Sequence, residues 1–192
     1  MKIILATWND QKFKWLSEGF SNTNLPIASV NKREYDDVEE TGTDCAENAL
    51  IKVHAIGPKP NCFIIGEDSG LFIDALNGFP GVKTVRWMEG TDDDRSIKIL
   101  ERMKGIPENR RTARFVSSIA LLLPDGTEKI FTGTLEGKIA EKLSAEPGKG
   151  YRQIFVLQNG RSIAESGSSL VMENDHRFQA MKKAVKYIKQ IL

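Results

Sequence analysis

The first third of the chain alternates strand and helix patterns, and this alternation restricts the folds that the chain can adopt. Lys2–Thr7 is a short apolar run typical of a buried strand. Helix patterns follow over Lys12–Phe20 and Asp44–Ala55, and Cys62–Gly66 is a second buried strand. Strands joined through helices generally lie parallel in one sheet, because a parallel connection needs a long crossover. This opening predicts an α/β fold.

The middle of the chain has a different pattern. Arg111–Leu123 and Glu128–Glu136 are two long strand patterns, and Pro124-Asp125-Gly126 between them is a hairpin turn signal. Antiparallel strands added to a parallel opening predict a mixed sheet. We also expect a turn at Ser69-Gly70. Further elements are expected as strands over Gly137–Lys142 and Ile154–Leu157 and as helices over Arg95–Lys104 and His176–Leu192.

Length and composition fit one ordinary globular domain over residues 1–192. The hairpin could project from this domain as a lobe. Lys and Arg total 27 and Asp and Glu total 26, so the net charge of +1 gives no general attraction to nucleic acid or membrane. Cys45 and Cys62 are too few for a disulfide scaffold and lack metal-site spacing. We interpret both as small core residues in a reducing compartment.

The N-terminus has too few apolar residues before Asn9-Asp10 for a signal peptide. No apolar run approaches the roughly 20 residues of a membrane span. The sequence therefore predicts a cytoplasmic protein.

The loop Thr7–Lys12 between the first strand and the first helix is a candidate phosphate site. A helix N-terminus offers free backbone N–H groups and a positive dipole end, and Lys12 adds a cation. The alternative is an ordinary connection with a surface lysine, because the loop lacks the glycines of a phosphate-binding loop.

Acidic residues form a second candidate group. Glu67-Asp68 follows a buried strand, where carboxylates suit a hard cation such as Mg²⁺. Glu39-Glu40 precedes the second helix and Glu47 lies inside it. The alternatives are a solvated loop for Glu39-Glu40, a capping box for Glu47 and a turn residue for Asp68. The run 92–94 of aspartates is interpreted as a helix-start charge cluster.

Two segments near the C-terminus are weaker candidates. Asp175-His176-Arg177 opens the last helix, and Pro147–Arg152 is a glycine-containing loop that could approach a ligand closely. Taken alone, each segment also fits a local structural role: a helix start in the first case and an ordinary turn in the second.

These segments, in this order, resemble the inosine triphosphate pyrophosphatase (ITPase) family, whose members hydrolyse non-canonical purine nucleoside triphosphates. Each motif is weak by itself, but five in order over nearly the whole chain are specific. The matching segments are Ala6-Thr7-Trp8-Asn9-Asp10-Gln11-Lys12, Glu39-Glu40-Thr41-Gly42 with Glu47-Asn48-Ala49-Leu50-Ile51-Lys52, Glu67-Asp68-Ser69-Gly70-Leu71, Asn77-Gly78-Phe79-Pro80-Gly81-Val82 with Arg86, and His176-Arg177.

The resemblance implies a long, twisted mixed sheet flanked by helices, with two lobes and a central cleft, in a homodimer. It implies Mg²⁺-dependent cleavage of a nucleoside triphosphate to monophosphate and pyrophosphate. By the same resemblance, Asp68 is the general base and Glu39 and Asp68 bind Mg²⁺. The implied phosphate contacts are Thr7, Asn9 and Lys12, and Ser69 also contacts the substrate. His176 and Arg177 reach toward the base or sugar, and Lys149, Tyr151 and Arg152 belong to the loop that forms the base pocket in the family.

Departures from the family pattern concentrate in the residues that read the base. Lys149 replaces an aromatic residue, Arg152 an aspartate, Val171 a lysine and Asp175 a serine. Trp8, Trp15 and Glu67 also differ, the last conservatively. Lys149 lacks the ring on which a base could stack, and Arg152 has five hydrogen-bond donors where the family has an acceptor. We therefore expect a shifted base preference, because hydrogen-bonding sites discriminate strongly between substrates.

Two other functions are compatible with the sequence. The chain could be a catalytically weak nucleotide-binding or regulatory protein on the same fold, or a biosynthetic phosphohydrolase for a modified nucleotide. An Asp68→Asn variant that binds nucleotide without turnover separates an enzyme from a binding protein. Turnover of unusual against standard triphosphates separates the biosynthetic enzyme from a housekeeping one.

Overall fold

The computed structural model describes residues 1–144, 148–166 and 175–192. Within them, short 3-10 turns cover Ser21–Thr23, Asp74–Leu76, Glu108–Arg110 and Gly150–Gln153. The strands are β1 (Lys2–Leu5), β2 (Ile27–Ser29), β3 (Cys62–Ile73), β4 (Pro80–Gly81), β5 (Thr112–Leu122), β6 (Glu128–Ile139) and β7 (Phe155–Val156). The helices are α1 (Asp10–Phe20), α2 (Cys45–Ile56), α3 (Asp92–Arg102) and α4 (His176–Ile191).

The strands form a mixed sheet in the order β2-β1-β3-β5-β6-β7, with β4 paired to β3. β1 lies parallel to both β2 and β3, whereas β3–β4 and β6–β7 are antiparallel. The predicted α/β class with a mixed sheet is therefore confirmed. None of the helices in the described part of the chain is long and apolar enough to cross a membrane.

The chain divides into two compact units. The first unit comprises Met1–Ser69, Ser117–Gly133 and His176–Leu192, and the second comprises Gly70–Val116 and Thr134–Asp175. The boundaries between the units fall within β3, within β5, within β6 and at the start of α4.

Three layers build the first unit, because successive residues of a strand point to opposite faces of the sheet. Helices α1 and α4 cover one face, where Ile3, Leu5, Phe63 and Ile65 are buried. Helix α2 covers the other face. The buried residues there include Ala6, Val30, Cys45, Ala49, Val53, Cys62, Ile64, Ala120 and Leu122. The two cysteines are free and buried, which confirms them as core residues.

Side chains cap the starts of α1 and α2 in the first unit. The Asn9 side-chain oxygen accepts from the backbone N–H groups of Gln11 and Lys12, at 2.9 and 3.1 Å. Asp44 accepts from the Glu47 N–H at 2.9 Å, which is one half of the predicted capping box, whereas the Glu47 carboxylate accepts from the Thr43 N–H at 2.7 Å. These caps fix where α1 and α2 begin, and so where the side chains of their first turns lie.

The second unit packs α3 against its own apolar core, which includes Leu71, Ile73, Ile99, Met103, Ile139, Tyr151, Ile154 and Phe155. The buried guanidinium of Arg111 joins separate segments of the second unit, because it donates to four backbone carbonyls. The acceptors are those of Met103, Ile106, Ile139 and Ala140, at 2.6 to 3.1 Å.

Strand β3 is longer than predicted, and this difference changes the interpretation of its acidic residues. The expected strand end at Gly66 and the expected turn at Ser69-Gly70 are wrong, because β3 continues to Ile73. Ser-Gly is typical of turns in isolated sequence, but here Leu71 and Ile73 are fully buried and hold the chain extended. The strand predicted over Gly137–Lys142 is instead the end of β6, which reaches Ile139.

Replacement of Arg111 tests the role of its guanidinium. Arg111→Leu leaves two buried and two partly buried carbonyl groups without their donor, so we expect a loss of about 3 kcal/mol in the free energy of unfolding. Urea denaturation measures it, with Arg110→Leu at the neighbouring exposed position as the control. Equal losses in the two variants would contradict this role.

Candidate active site

The site lies where the strand order changes direction. The chain leaves β1 for β2 on one side and returns to β3 on the other, so the carboxyl ends of β1 and β3 form a topological switch point, the usual ligand position in α/β sheets. β1 ends at Leu5, which pairs with Ile65. Glu67, Asp68 and Ser69 therefore extend beyond the end of β1, beside the loop that leads into α1.

Glu67 points to the face of the sheet that α1 and α4 cover, as Phe63 and Ile65 do. Its fully buried carboxylate lies 2.9 Å from Lys12 Nζ and accepts from Ser117 Oγ at 2.8 Å. Arg177 Nε lies 3.9 Å away. Burial acts to raise the pKa of Glu67, but Lys12 and Arg177 outweigh it and lower the pKa to about 2.

Asp68 is the next residue along β3, so its side chain points to the opposite face, toward α2. Asn48 Nδ2 and Lys52 Nζ both donate to its carboxylate at 3.2 Å. Burial raises the pKa of Asp68 above its usual value, with the charges of Glu40 and Glu67 in support and those of Lys52 and Lys12 in opposition. The two adjacent carboxylates therefore differ in proton affinity: Glu67 stays ionised, while Asp68 takes up a proton more readily.

Lys52 brings three acceptors together. Its ammonium lies 2.8 Å from the Glu67 carbonyl oxygen, 3.2 Å from Asp68 Oδ1 and 2.9 Å from Glu40 Oε1. A lysine ammonium has three donors, so these three contacts match its full capacity. The side chain is 7% exposed.

A glycine allows α2 to approach β3 closely enough for these contacts. A Cβ atom at Gly66 would lie 2.5 Å from the Ala49 carbonyl oxygen and 3.1 Å from Lys52 Cβ. Asn48 and Lys52 are four residues apart and so share one face of α2. The absence of a side chain at Gly66 therefore places both of them against Asp68.

Asn48 also links Asp68 to the loop before α2. Its Oδ1 accepts from the Gly42 N–H at 2.8 Å while its Nδ2 donates to Asp68. The residue is 1% exposed. A Cβ at Gly42 would lie 2.6 Å from that same oxygen, so glycine is needed for the contact.

The acidic loop contributes Glu40 to this group. Glu40 is partly buried against Lys52, whereas Glu39, the residue predicted to bind metal, has an exposed side chain. Among the described residues, no group of three or more His, Cys, Asp or Glu side chains could hold a metal ion by itself. Mg²⁺ binds through one or two carboxylates together with substrate phosphates, and Glu40 with Asp68 fits that donor set.

The predicted phosphate residues in the first loop lie at the same edge of the sheet. Thr7 is 7% exposed and its Oγ1 accepts from the Asn9 N–H at 3.3 Å. The side-chain oxygen of Asn9 is used by the α1 cap. Burial acts to lower the pKa of Lys12, but Glu67 and Asp68 outweigh it and raise the pKa. A cavity of about 540 Å³ opens here, lined by Thr7, Asp10, Phe13, Ser29, Val30, Asn31, Lys32 and Arg33.

Helix α4 brings two more predicted residues to the site. Arg177 Nη2 donates to Ser69 Oγ at 3.0 Å, and its guanidinium lies 6.0 Å from the Trp15 ring. His176 is 6% exposed. A Cβ at Gly133 would lie 2.0 Å from the His176 carbonyl oxygen, so this glycine allows α4 to approach β6.

The remaining predicted substrate residues belong to the second unit. The Tyr151 hydroxyl donates to the Thr84 carbonyl and accepts from Trp87 Nε1, each at 2.8 Å, so its polar group is used structurally. Lys149 and Arg152 are exposed. Val171 lies outside the described residues.

Three partners of the two carboxylates were not predicted from the sequence, namely Asn48, Lys52 and Ser117. Glu40, which contacts Lys52, was named only together with Glu39 in the acidic group. The helical spacing of Asn48 and Lys52 was a usable signal, because it places both on one face of α2. Ser117 carried no such signal, since its position opposite Glu67 depends on how β5 lies in the sheet.

Comparisons with known proteins agree with one another. A family model described as the Ham1 family matches residues 3–187. The chain is 40% identical over 192 residues to a Halalkalibacterium halodurans protein named non-canonical purine NTP pyrophosphatase homolog, covering 100% of this chain and 97% of that protein. It is 38% identical over 191 residues to a dITP/XTP pyrophosphatase of Symbiobacterium thermophilum, covering 100% and 96%.

Solved structures give the same result. The Ham1 protein of Staphylococcus aureus matches with a TM-score of 0.87 and 28% identity, covering 100% of both chains. A HAM1 protein from Coxiella burnetii matches with a TM-score of 0.87 and 30% identity, covering 99% of both.

The lowered pKa of Glu67 predicts a pH-dependent contribution to stability. A carboxylate whose pKa falls from 4.5 to about 2 on folding stabilises the protein above pH 4.5 and loses that effect as the pH falls toward 2. The difference in free energy of unfolding between wild type and Glu67→Gln should therefore shrink by up to about 3 kcal/mol over this window. Denaturant titrations in metal-free buffer measure it.

Glu18→Gln, at an exposed position of α1, is the matched control and should show no such change. A wild-type to Glu67→Gln difference that stays constant from neutral pH to pH 2 would contradict the ionised state of Glu67.

Proposed function

Because the chain belongs to the Ham1 family, we propose that it is an enzyme, a nucleoside triphosphate pyrophosphohydrolase that converts dITP- or XTP-like triphosphates to monophosphates and pyrophosphate. Similarity to relatives named dITP/XTP pyrophosphatase supports the reaction class. The observation that carries the proposal is the pair Glu67 and Asp68 at the switch point, with opposite pKa shifts and surrounded by Lys12, Lys52 and Arg177.

The cations of this pair suit a phosphate chain. Lys12 is partly exposed, at 26%, so its ammonium can turn from Glu67 to a phosphate oxygen. Thr7, the amide nitrogen of Asn9 and Ser69 supply neutral donors beside them. The cavity at Thr7 provides room for phosphates next to the N-terminus of α1.

Asp68 is the proposed general base. A raised pKa brings a carboxylate nearer to the pH at which it can take a proton from water. The oxygen of that water bonds to the α-phosphorus. The bond from the α-phosphorus to the oxygen that bridges the α- and β-phosphates breaks, and pyrophosphate leaves with the electron pair. Asn48 and Lys52 hold the carboxylate in place through its two oxygens.

We propose Mg²⁺ as the cofactor, held by Asp68 and by a carboxylate of the acidic loop. Resemblance assigned that second ligand to Glu39, but the burial and contacts of Glu40 favour Glu40. When bound, the metal supplies charge that offsets the phosphates and orients the water. A homodimer is proposed from the resemblance, and the mass of the protein in solution tests it.

His176, Arg177, Lys149, Tyr151 and Arg152 are proposed to contact the base and sugar. The hydroxyl of Tyr151 is occupied, so only its ring is available to a nucleotide. Lys149 and Arg152 present donors where the family has an aromatic residue and an acceptor. We therefore propose a preference shifted from hypoxanthine or xanthine toward a base with an acceptor-rich edge or an extra anionic group.

Pyrophosphate release from a panel of triphosphates tests the reaction. The panel contains ITP, XTP, dITP, the eight standard nucleotides and several modified bases, with and without Mg²⁺. We expect Mg²⁺-dependent turnover of non-standard triphosphates, and a loss of at least 10²-fold in kcat with retained binding in Asp68→Asn. Nucleotide binding without turnover by the wild type would instead indicate a binding protein.

The Arg152→Asp variant tests the shifted preference. An aspartate replaces five donors by an acceptor, so the ranking of substrates by kcat/KM should move toward ITP and XTP. The same panel measures this, with exposed Arg161→Asp as the control. An unchanged ranking would show that Arg152 does not select the base.

A further inference from the structure

The aspartates at the start of α3 have separate partners, although their sequence reads as one charge cluster. Asp94 accepts from Thr91 in a capping box, and Asp92 pairs with Arg95 at 2.6 Å. Asp93 does neither. Its carboxylate accepts from the loop that contains Lys149 and Arg152. The helix dipole favours acidic residues in the first turn in general, but it does not explain this division.

Three donors of the loop converge on Asp93. The Gly148 N–H donates to Oδ2 at 2.7 Å, the Gly150 N–H to Oδ1 at 3.1 Å, and Gln153 Nε2 to Oδ1 at 2.5 Å. Gln153 is 2% exposed. Hydrogen bonds to a carboxylate are stronger than those between neutral groups, so Asp93 fixes both ends of the segment from Gly148 to Gln153.

The loop backbone is shaped for this contact. Gly150 has a φ of +53°, which other residues rarely adopt, and a Cβ there would lie 2.7 Å from Asp92 Cβ. Between the glycines and Gln153, the Tyr151 hydroxyl is held by Thr84 and Trp87. Lys149 and Arg152 are exposed on this fixed backbone.

We propose that Asp93 is a specificity-positioning residue: its carboxylate holds the 148–153 loop in the conformation that presents Lys149 and Arg152 to the base of the nucleotide. Asp93 does not touch the substrate and acts through the loop. This inference rests on the proposed function, because it needs a nucleotide whose base the loop reads. Two exposed cationic side chains distinguish bases only if the backbone that carries them is fixed.

The test compares substrates that differ only in the base. For wild type and Asp93→Ala, kcat/KM is measured for ITP, XTP and GTP with Mg²⁺, and the highest value is divided by the lowest. This ratio cancels any loss of folded protein and any uniform loss of activity. We expect a ratio at least tenfold lower in Asp93→Ala, through KM more than through kcat.

Asp74→Asn is the matched control. Asp74 lies in the same unit and accepts hydrogen bonds from Thr112 and Arg114, neither of which belongs to the 148–153 segment. Its replacement also perturbs the hydrogen bonds of a carboxylate, at an exposed position, but should leave the ratio unchanged. Gln153→Met removes one of the three donors to Asp93 and should lower the ratio by a smaller factor than Asp93→Ala does. This second variant tests the proposal if Asp93→Ala does not fold.

A ratio in Asp93→Ala and Gln153→Met within twofold of wild type would overturn the proposal and leave Asp93 a structural residue. A wild-type ratio near one would overturn it as well, since there would be no selectivity to position. Failure of the wild type to hydrolyse any triphosphate is a different result: it refutes the proposed function itself.

Discussion

The contact between Lys12 and Glu67 is the interaction on which the site depends. A carboxylate with no solvent exposure would ordinarily be neutral, because burial disfavours the charged form. The ammonium 2.9 Å away, the hydroxyl of Ser117 and the guanidinium of Arg177 reverse that effect. Glu67 thereby joins α1 and α4 to β3. Since Lys12 sits in the first turn of α1, the Asn9 cap that starts the helix also determines where the ammonium lies.

The alternation of side chains along β3 separates the roles of its two carboxylates. Glu67 faces two helices that provide cations, and Asp68 faces α2, where Lys52 is shared with Glu40 and with a backbone carbonyl. Two neighbouring residues of one strand therefore have opposite shifts, with a lowered pKa for Glu67 and a raised pKa for Asp68. Pairs of titratable groups with diverging pKa values are typical of acid–base sites. Here the divergence follows from strand geometry and from close helix packing at Gly66.

Much of this arrangement was predictable from the sequence. The α/β class, the capping contact of Asp44 with Glu47 and the buried cysteines all follow from local patterns. The continuation of β3 through Ser69-Gly70 did not, because a Ser-Gly pair in isolation favours a turn, and only tertiary burial of Leu71 and Ile73 overrides that preference. Had the strand been recognised there, its period of two would have placed Glu67 and Asp68 on opposite faces.

Other features depend on contacts distant in sequence. Glu40 rather than Glu39 meets Lys52 because of how the loop before α2 passes over that helix, and adjacent glutamates look alike in a motif. The Tyr151 hydroxyl is bound by Trp87 and Thr84, more than 60 residues away. Asp93 was indistinguishable from its neighbours until its loop partners were known.

Carboxyl-carbon NMR titration of the metal-free protein distinguishes the two adjacent carboxylates by the pH at which each takes up its proton. Glu67 should stay ionised down to a pH near 2, while Asp68 should titrate above the usual range of aspartate. A titration in which Glu67 takes up its proton at a higher pH than Asp68 would contradict the opposite pKa shifts of the two residues.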